Sequence, residues 1–320
     1  MKNIAIVILN WNGTKDTVEC LESIGKLQII NYKLQVIVVD NGSADAFASV
    51  ISNFKLGALR EQISNKNIKF KILRNEKNLG FSGGNNVGIR HALKNGADYV
   101  VILNNDTVVH KSLIEELLTV ADSEEKIGIV APKIYFAKGF EFHKDRYKKN
   151  DLGKIIWYAG GTMDWENVLG HHRGVDEVDT GQFDEISPTD FASGCCLLIK
   201  KEVLERVGPP AGGFDEQYFL YYEDSDLCQR VKGKGYRVMF VPSAILWHKN
   251  AGSAGGSGSK LQDYFITRNR LLFGFRFAPI RSKLALLRES IGLLFNGRSW
   301  QRRGVLDFYL GGFGRGSYPI

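Results

Sequence analysis

The first third of the chain alternates short apolar runs with segments of helical periodicity, the pattern that builds βαβ units and a largely parallel sheet. Runs rich in β-branched residues predict strands at 3–9, 34–40, 69–74 and 98–104. Val18, Leu21 and Ile24 recur at helical spacing within Thr14–Leu27, and further helices are expected over Asn85–Lys94 and Ser112–Ala121. The unbroken Val36-Ile37-Val38-Val39 implies a strand buried on both faces. From Phe136 to Glu185 the pattern loosens into charged, glycine-rich sequence with short strand candidates at Ile155–Tyr158 and Thr162–Trp165, which reads as an insertion on the ligand side. Regular patterning returns at Phe191–Ile199, followed by helices starting near Lys201 and over 225–234. Gly and Ser dominate Ala251–Lys260, which cannot pack a core and reads as a flexible loop, a candidate lid. Helical patterning closes the chain at Leu261–Gly274 and Arg281–Phe295. The organisation expected is a main α/β domain over 1–250 with halves meeting near 110, a loop over 251–260, and a basic, aromatic-rich helical region over 261–320.

Composition narrows the class. With 320 residues, 44% hydrophobic and 24% charged, the chain can bury a full core and belongs with globular proteins. Apolar runs near the C-terminus, Leu271–Phe275 and Leu284–Leu287, are cut by Arg276 and Arg288. They fall far short of the ~20 residues that span a bilayer. The opening run Ile4–Leu9 is too short for a signal peptide and reads as a strand. Four cysteines without CxxC pairing or framework spacing suit a reducing cytoplasm. The net charge of +7 is concentrated: from Lys260 to Ile320 eleven Lys or Arg stand against three Asp or Glu. A basic segment interleaved with aromatics suits an anionic membrane surface or a lipid-linked ligand, giving a cytoplasmic protein peripheral on the inner face of the membrane. An ordinary helical cap on the main domain explains the segment nearly as well. Nucleic acid is not expected, because no motif for it accompanies the charge.

In parallel α/β sheets ligands bind beyond the carboxyl ends of strands. Here those ends are polar: Asn10-Trp11-Asn12-Gly13, Asp40-Asn41-Gly42-Ser43 and Asn104-Asn105-Asp106-Thr107. Any one of these could be a plain turn, but three on adjacent strands point to a shared crevice. The segment Asn78–Asn86 between a strand and a helix would bring backbone N–H groups close to a phosphate. It does not spell G-x-G-x-x-G, and G-x-x-x-x-G-K-[ST] is absent, so dehydrogenase and P-loop chemistry lose their main support. Asp106, just past an apolar strand, is placed to hold Mg²⁺ or Mn²⁺ against a diphosphate. The aromatic run Phe214–Tyr222 leads into Glu223, Asp224 and Asp226, where repulsion and burial would raise a carboxyl pKa while a helix N-terminus would oppose the shift. A solvated, helix-capping acidic turn is the other reading. His248 ends another strand candidate immediately before the glycine-rich loop, whereas His171-His172 lacks ligand spacing and receives no role.

Taken in order, VILNWNG (7–13), VVDNGS (38–43), NLGFSGGNNVGI (78–89), LNNDT (103–107), FASGCCLLIK (191–200), FDEQYFLYYEDSDLCQR (214–230) and the Trp247-His248 pair resemble family 2 glycosyltransferases, most closely the bacterial rhamnosyltransferase-like branch. The resemblance covers about Asn3–Gly256. It implies a GT-A fold, a nucleotide-sugar half over 1–110, an acceptor half over 111–250, and inverting transfer from a nucleotide-sugar donor to a glycan or lipid-linked glycan, with dTDP-rhamnose or a UDP-sugar as donor. Asn10, Asn12, Asp40, Asn78, Gly80, Phe81, Asn85, Asn104 and Asn105 would line the donor site, with Asp40 on the base. Asp106 and His248 would hold the metal. Asn104 stands where the D-x-D pattern has its first Asp, which leaves less protein charge for the cation. Asp224 would be the base, beside Glu223, and Ser193, Gly194 and Tyr222 would face the acceptor. A sugar nucleotidyltransferase would need a basic, glycine-rich signature near the first strand, where Asn10–Gly13 stands instead. A membrane-tethered binding protein that lost catalysis is the third reading, against which Asp106 and Glu223-Asp224 argue.

Overall fold

The computed structural model describes residues 1–45, 47, 68–207, 213–249 and 258–319. Most of the expected glycine-rich loop, residues 251–257, lies outside them; Gly258 and Ser259 lead into a helix that Ser259 caps by accepting the Gln262 N–H at 3.2 Å.

In chain order the described elements are β1 (Lys2–Asn10), α1 (Thr14–Ile24), β2 (Tyr32–Asp40), β3 (Ile68–Arg74), α2 (Gly80–Lys94), β4 (Tyr99–Asn104), β5 (Thr107–Val109), α3 (Leu113–Ser123) and β6 (Ile127–Phe136). They continue with a 3₁₀ turn (Lys144–Arg146), β7 (Ile156–Tyr158), β8 (Gly161–Asp164), β9 (Leu169–His172), β10 (Ser187–Pro188), β11 (Cys196–Lys200), α4 (Lys201–Arg206), α5 (Glu223–Gly233) and β12 (Arg237–His248). Helices α6 (Lys260–Phe277), α7 (Ile280–Asn296) and α8 (Ser299–Tyr309) close the chain.

One sheet in the order β10-β12-β6-β11-β4-β1-β2-β3 organises the molecule, with β5 on β12 and β7 on β6. β1 pairs in parallel with β2 and β4, β2 with β3, and β6 with β12. β11 runs antiparallel to both β4 and β6. The carboxyl ends of β1, β2, β3, β4, β6 and β12 therefore share one edge with the start of β11. Burial of Val36–Val39 to 2% exposure or less matches the two-faced coverage that their continuous apolar run requires.

Two elements depart from the sequence pattern. Helix α2 begins at Gly80, five residues before the expected Asn85, with Gly80 at φ +75. Gly84 and Gly88 face the sheet: a Cβ on Gly84 would lie 2.4 Å from Leu9 Cδ1 and one on Gly88 2.3 Å from Val7 Cγ1. The helix therefore packs closer to β1 than any side chain would permit. Strand β6 contains Pro132, tolerated because its partner strand bulges there, the pairing jumping from Val241 to Ile245. The C-terminal helices lie where the sequence pattern places helical structure and pack on the main domain: Leu271, Phe273, Leu286 and Val305 belong to the same buried cluster as the sheet residues Ile6 and Val101.

Candidate active site

The polar strand ends meet as one hydrogen-bonded rim. Asn10 and Asp40 are register partners, and so are Leu9 and Asn104. Asn10 is fully buried; its Nδ2 donates to Ser43 Oγ at 3.1 Å and its Oδ1 accepts from Thr17 Oγ1 at 2.9 Å. Asn105 Nδ2 donates to Thr17 Oγ1 at 3.0 Å and to Gly13 O at 3.3 Å, tying the β4–β5 turn to the β1 end. Asn12 sits at φ +53, an arrangement asparagine tolerates, with its N–H on Ser43 Oγ and its Oδ1 accepting from Ala44 N at 2.8 Å. Asp40 is 1% exposed; it accepts Ser43 N–H at 3.1 Å and a 2.8 Å bond from Arg74 Nη1. Arg74 joins this rim, although local motifs do not reveal it. The clue to it is register, since Arg74 ends β3 directly beside Asp40.

In the expected phosphate loop at 78–86 the backbone donors are partnered within the chain. Asn78 Oδ1 accepts the Gly80 N–H at 2.8 Å, and the N–H groups of Phe81 and Ser82 both turn to Phe219 O, at 2.7 and 3.3 Å. The first donors of α2 thus serve the protein itself. Asn85 Nδ2 donates back to Phe81 O at 3.0 Å, while its Oδ1 is buried without a hydrogen-bond partner among the described residues. Phe81 does lie beside the Gly194 turn: a Cβ on Gly194 would lie 3.1 Å from its ring and 3.7 Å from Asp224 Cβ.

At the opposite side of the rim Asn104 N donates to Cys195 O at 2.9 Å, joining the β4 end to the Ser193–Cys195 turn before β11. Gly194 N–H in turn donates to Asp224 Oδ2 at 3.0 Å, and Asp224 Oδ1 accepts Ser225 N–H at 2.6 Å. Helix α5 starts at Glu223 rather than near Ser225, so Asp224 stands in its first turn, and the N-cap is Tyr222 at φ +71 with no side-chain cap bond. Neither Asp224 nor Ser225 caps the helix. Burial pushes the Asp224 carboxyl above the usual carboxylate range, although the Gly194 and Ser225 N–H groups pull the other way. Burial, then the neighbouring Asp224 charge, drives Glu223 far above that range. Glu223 Oε2 is buried with no hydrogen-bond partner among the described residues. Tyr222 turns its hydroxyl to Val168 O at 3.0 Å.

Asp106 and His248 are brought together by the β5–β12 pairing, which sets His248 opposite Thr107. His248 Nε2 lies 3.1 Å from Asp106 Oδ1. Its Nδ1 is buried and has no hydrogen-bond partner among the described residues. Trp157 packs edge-on against His248 at 4.6 Å and against His172 at 4.5 Å. His172, to which the sequence assigns no role, thus backs the ring that holds His248. Burial lowers its pKa to about 4, so it stays neutral. Among the described residues no group of three or more His, Cys, Asp or Glu forms a complete metal site. A carboxylate and an imidazole are nonetheless a sufficient protein share for Mg²⁺ or Mn²⁺, which keep waters and take substrate phosphate oxygens. The donor set fits a divalent cation presented with a diphosphate.

Residues 5–208 match the family model Glycosyl transferase family 2. The low-salt glycan biosynthesis hexosyltransferase Agl10 of Haloferax volcanii is 24% identical over 273 residues, 85% of this chain and 75% of that one. The N-acetylglucosaminyl-diphospho-decaprenol L-rhamnosyltransferase of Mycobacterium tuberculosis is 27% identical over 162 residues, 49% of each chain. Among solved structures, the mannosyltransferase PcManGT of Pyrobaculum calidifontis, in complex with GDP-Man and Mn²⁺, superposes with a TM-score of 0.52 at 16% identity over 99% of this chain and 76% of that one. The fold is of the GT-A type.

Proposed function

Since the chain belongs to glycosyl transferase family 2, in its rhamnosyltransferase-like branch, we propose that it moves a sugar from a nucleoside diphosphate to a hydroxyl of a glycan or lipid-linked glycan, with inversion, in the synthesis of a cell-surface polysaccharide. Rhamnose from dTDP-rhamnose is the first donor to test and UDP-sugars the second; the likeness to the mycobacterial rhamnosyltransferase supports that order. The observation that carries the reading is the placement of two acidic groups along one sheet edge: Asp224 beside the Gly194 turn and Asp106 against His248.

In this reading the acceptor hydroxyl lies against Asp224, which takes its proton as the oxygen bonds to the anomeric carbon and the diphosphate departs from the opposite face. General base catalysis by a positioned side chain contributes roughly 10²–10⁴ in rate, and a base raised above its ordinary pKa holds the proton it removes more firmly. Gly194 N–H and Ser225 N–H fix the carboxylate's direction. Burial favours the uncharged form of Glu223 beside it. Asp40, with Arg74, faces the base of the nucleotide, and Asn10, Asn12 and Asn105 shape the floor beneath it. A cation held by Asp106 and His248 would neutralise the leaving diphosphate. Ser193, Gly194 and Tyr222 stand on the acceptor side.

The C-terminal region suits a membrane surface, and we assign the protein to the cytoplasmic face of the membrane on that ground. Several of its cations are used internally, among them Arg268, Arg270, Arg276 and Arg298. Arg281 and Arg288, however, flank an exposed row along α7 made of Ile280, Leu284, Leu287, Ile291 and Phe295. Among the described residues no helix is long and apolar enough to cross a membrane. An apolar row edged with arginine suits anionic lipid. Flotation with phosphatidylglycerol vesicles at low salt tests this. Protein that stays at the bottom, or a Leu284→Asp/Ile291→Asp double variant that floats like the parent, ends the assignment.

The central test is a thermal-shift panel of dTDP- and UDP-sugars with and without Mn²⁺, followed by NMR of the anomeric proton in the product. Stabilisation by one sugar nucleotide only when Mn²⁺ is present, and an inverted linkage, are expected. A panel in which none shifts Tm, or a retained anomeric configuration, overturns the reading.

A further inference from the structure

The aromatic segment leading into the acidic pair is held in a conformation its own residues disfavour. Phe219, Tyr221 and Tyr222 have φ of +63, +70 and +71. A bulky residue in the left-handed region is strained and persists only where surrounding contacts over-determine it. The contacts are on the carbonyl side. Left-handed residues turn successive carbonyls toward one centre, and α6 supplies the donors that fill it. Asn269 Nδ2 donates to Tyr218 O, Leu220 O and Tyr221 O at 2.8, 2.7 and 2.9 Å. Arg268 Nη2 donates to Gln217 O and Tyr218 O at 3.2 and 3.0 Å, and its Nη1 to Gly312 O at 3.1 Å. Phe219 O is taken by the start of α2. Every carbonyl from Gln217 to Tyr221 is therefore engaged, and both α6 side chains are fully buried.

An arginine and an asparagine at 0% exposure are costly to bury and contribute little to an apolar core. Their bonds go instead to the backbone that ends in Glu223-Asp224. The same helix grips a second strained point: Arg270 Nε donates to Asn167 O at 2.8 Å, next to Val168 at φ +56, whose carbonyl accepts the Tyr222 hydroxyl. Further along, Arg276 bridges Asp215 and Asp226 at 2.6 and 3.1 Å, fixing α5 from its other side.

We propose that Arg268 and Asn269 are positioning residues for the transfer step, holding the left-handed turn 217–222 so that Asp224 is presented at the Gly194 turn. The C-terminal helices are on this view part of the catalytic unit. The proposal rests on Asp224 being the base, and the experiment separates the two. Asn269→Ala, Arg268→Lys, Arg298→Ala and Asp224→Asn are made in the full chain and assayed with whichever dTDP- or UDP-sugar of the panel is turned over. Arg298 pairs with Asp263 within the C-terminal helices and does not touch the turn.

Misplacing a reacting group by about 1 Å can cost roughly 10²-fold. Asn269→Ala is expected to lower kcat about 10- to 100-fold while KM for the donor stays within about twofold, because donor binding lies on the other side of the rim. Arg298→Ala lowers Tm and leaves kcat per folded molecule unchanged. Arg268→Lys keeps the charge but loses the fork, and falls between. If Asn269→Ala does not fold, Arg268→Lys decides by the same split of kcat against KM. A kcat that tracks only the folded fraction in both variants, with Asp224→Asn inactive, overturns the positioning role alone. Normal turnover by Asp224→Asn overturns the assignment of the base.

Discussion

Asp224 receives the backbone N–H of Gly194 on one carboxylate oxygen at 3.0 Å, a bond between the helix that carries the acid pair and the turn entering the central sheet. The bond fixes direction, while burial sets acidity. Together they make Asp224 both oriented and more basic than a surface aspartate.

Replacing Asp224 by Asn keeps the shape and the Gly194 contact but removes the proton acceptor. We expect kcat to fall by about 10²–10⁴ with donor affinity preserved. In the parent, activity is lost as pH falls through the raised Asp224 pKa, so the acid limb of the kcat profile lies above the ordinary aspartate value of about 3.9. An acid limb at or below that value contradicts the burial argument.

Burial, then the neighbouring Asp224 charge, holds the Glu223 carboxyl well above the usual carboxylate range, so the fold favours its protonated form. Its contribution to stability is complete below its unfolded pKa of about 4.3 and is lost as pH rises through the folded value. Glu223→Gln cannot ionise, so its Tm relative to the parent should be higher at about pH 8 than at about pH 5. Thermal unfolding at both pH values checks this; an equal difference at the two disproves it.

Asp106→Ala removes the carboxylate opposite His248. Titration calorimetry with the sugar nucleotide should then show the same weak affinity with and without Mn²⁺, whereas the parent binds more tightly with Mn²⁺. Unchanged Mn²⁺-assisted binding in the variant removes Asp106 from the metal site.

Gly88→Ala tests why α2 lies so close to the sheet. Alanine favours the helix by about 1 kcal/mol. The added Cβ would meet Val7 Cγ1 at 2.3 Å and Val39 Cγ2 at 3.2 Å, both on buried strands. Overpacking of about 1–3 kcal/mol should prevail. Tm is expected to fall by a few degrees; a rise would show that the interface yields.

Much of this was legible in the chain because its causes are local. Alternating apolar runs set β1, β2, β3 and β4 within about two residues of where they lie, and the polar residues at their ends fall on one edge because parallel strands point the same way. The pairing of Glu223 with Asp224, and Asn104 in place of a first acidic residue, are matters of sequence alone. Local pattern could not disclose what distant residues supply. The start of α2 at Gly80 depends on Phe219 O, more than a hundred positions away, and on a glycine at φ +75. Strand β6 has no clean period, since Gly128 and Pro132 interrupt it and only the bulge in β12 makes room for the proline. His172 gained its place behind Trp157 from a hairpin's position. Arg268 and Asn269 looked like two more polar residues in a basic tail. Only packing shows that tail folded back, its donors inside, because a buried polar group takes its meaning from the partner that satisfies it and not from its neighbours in the chain.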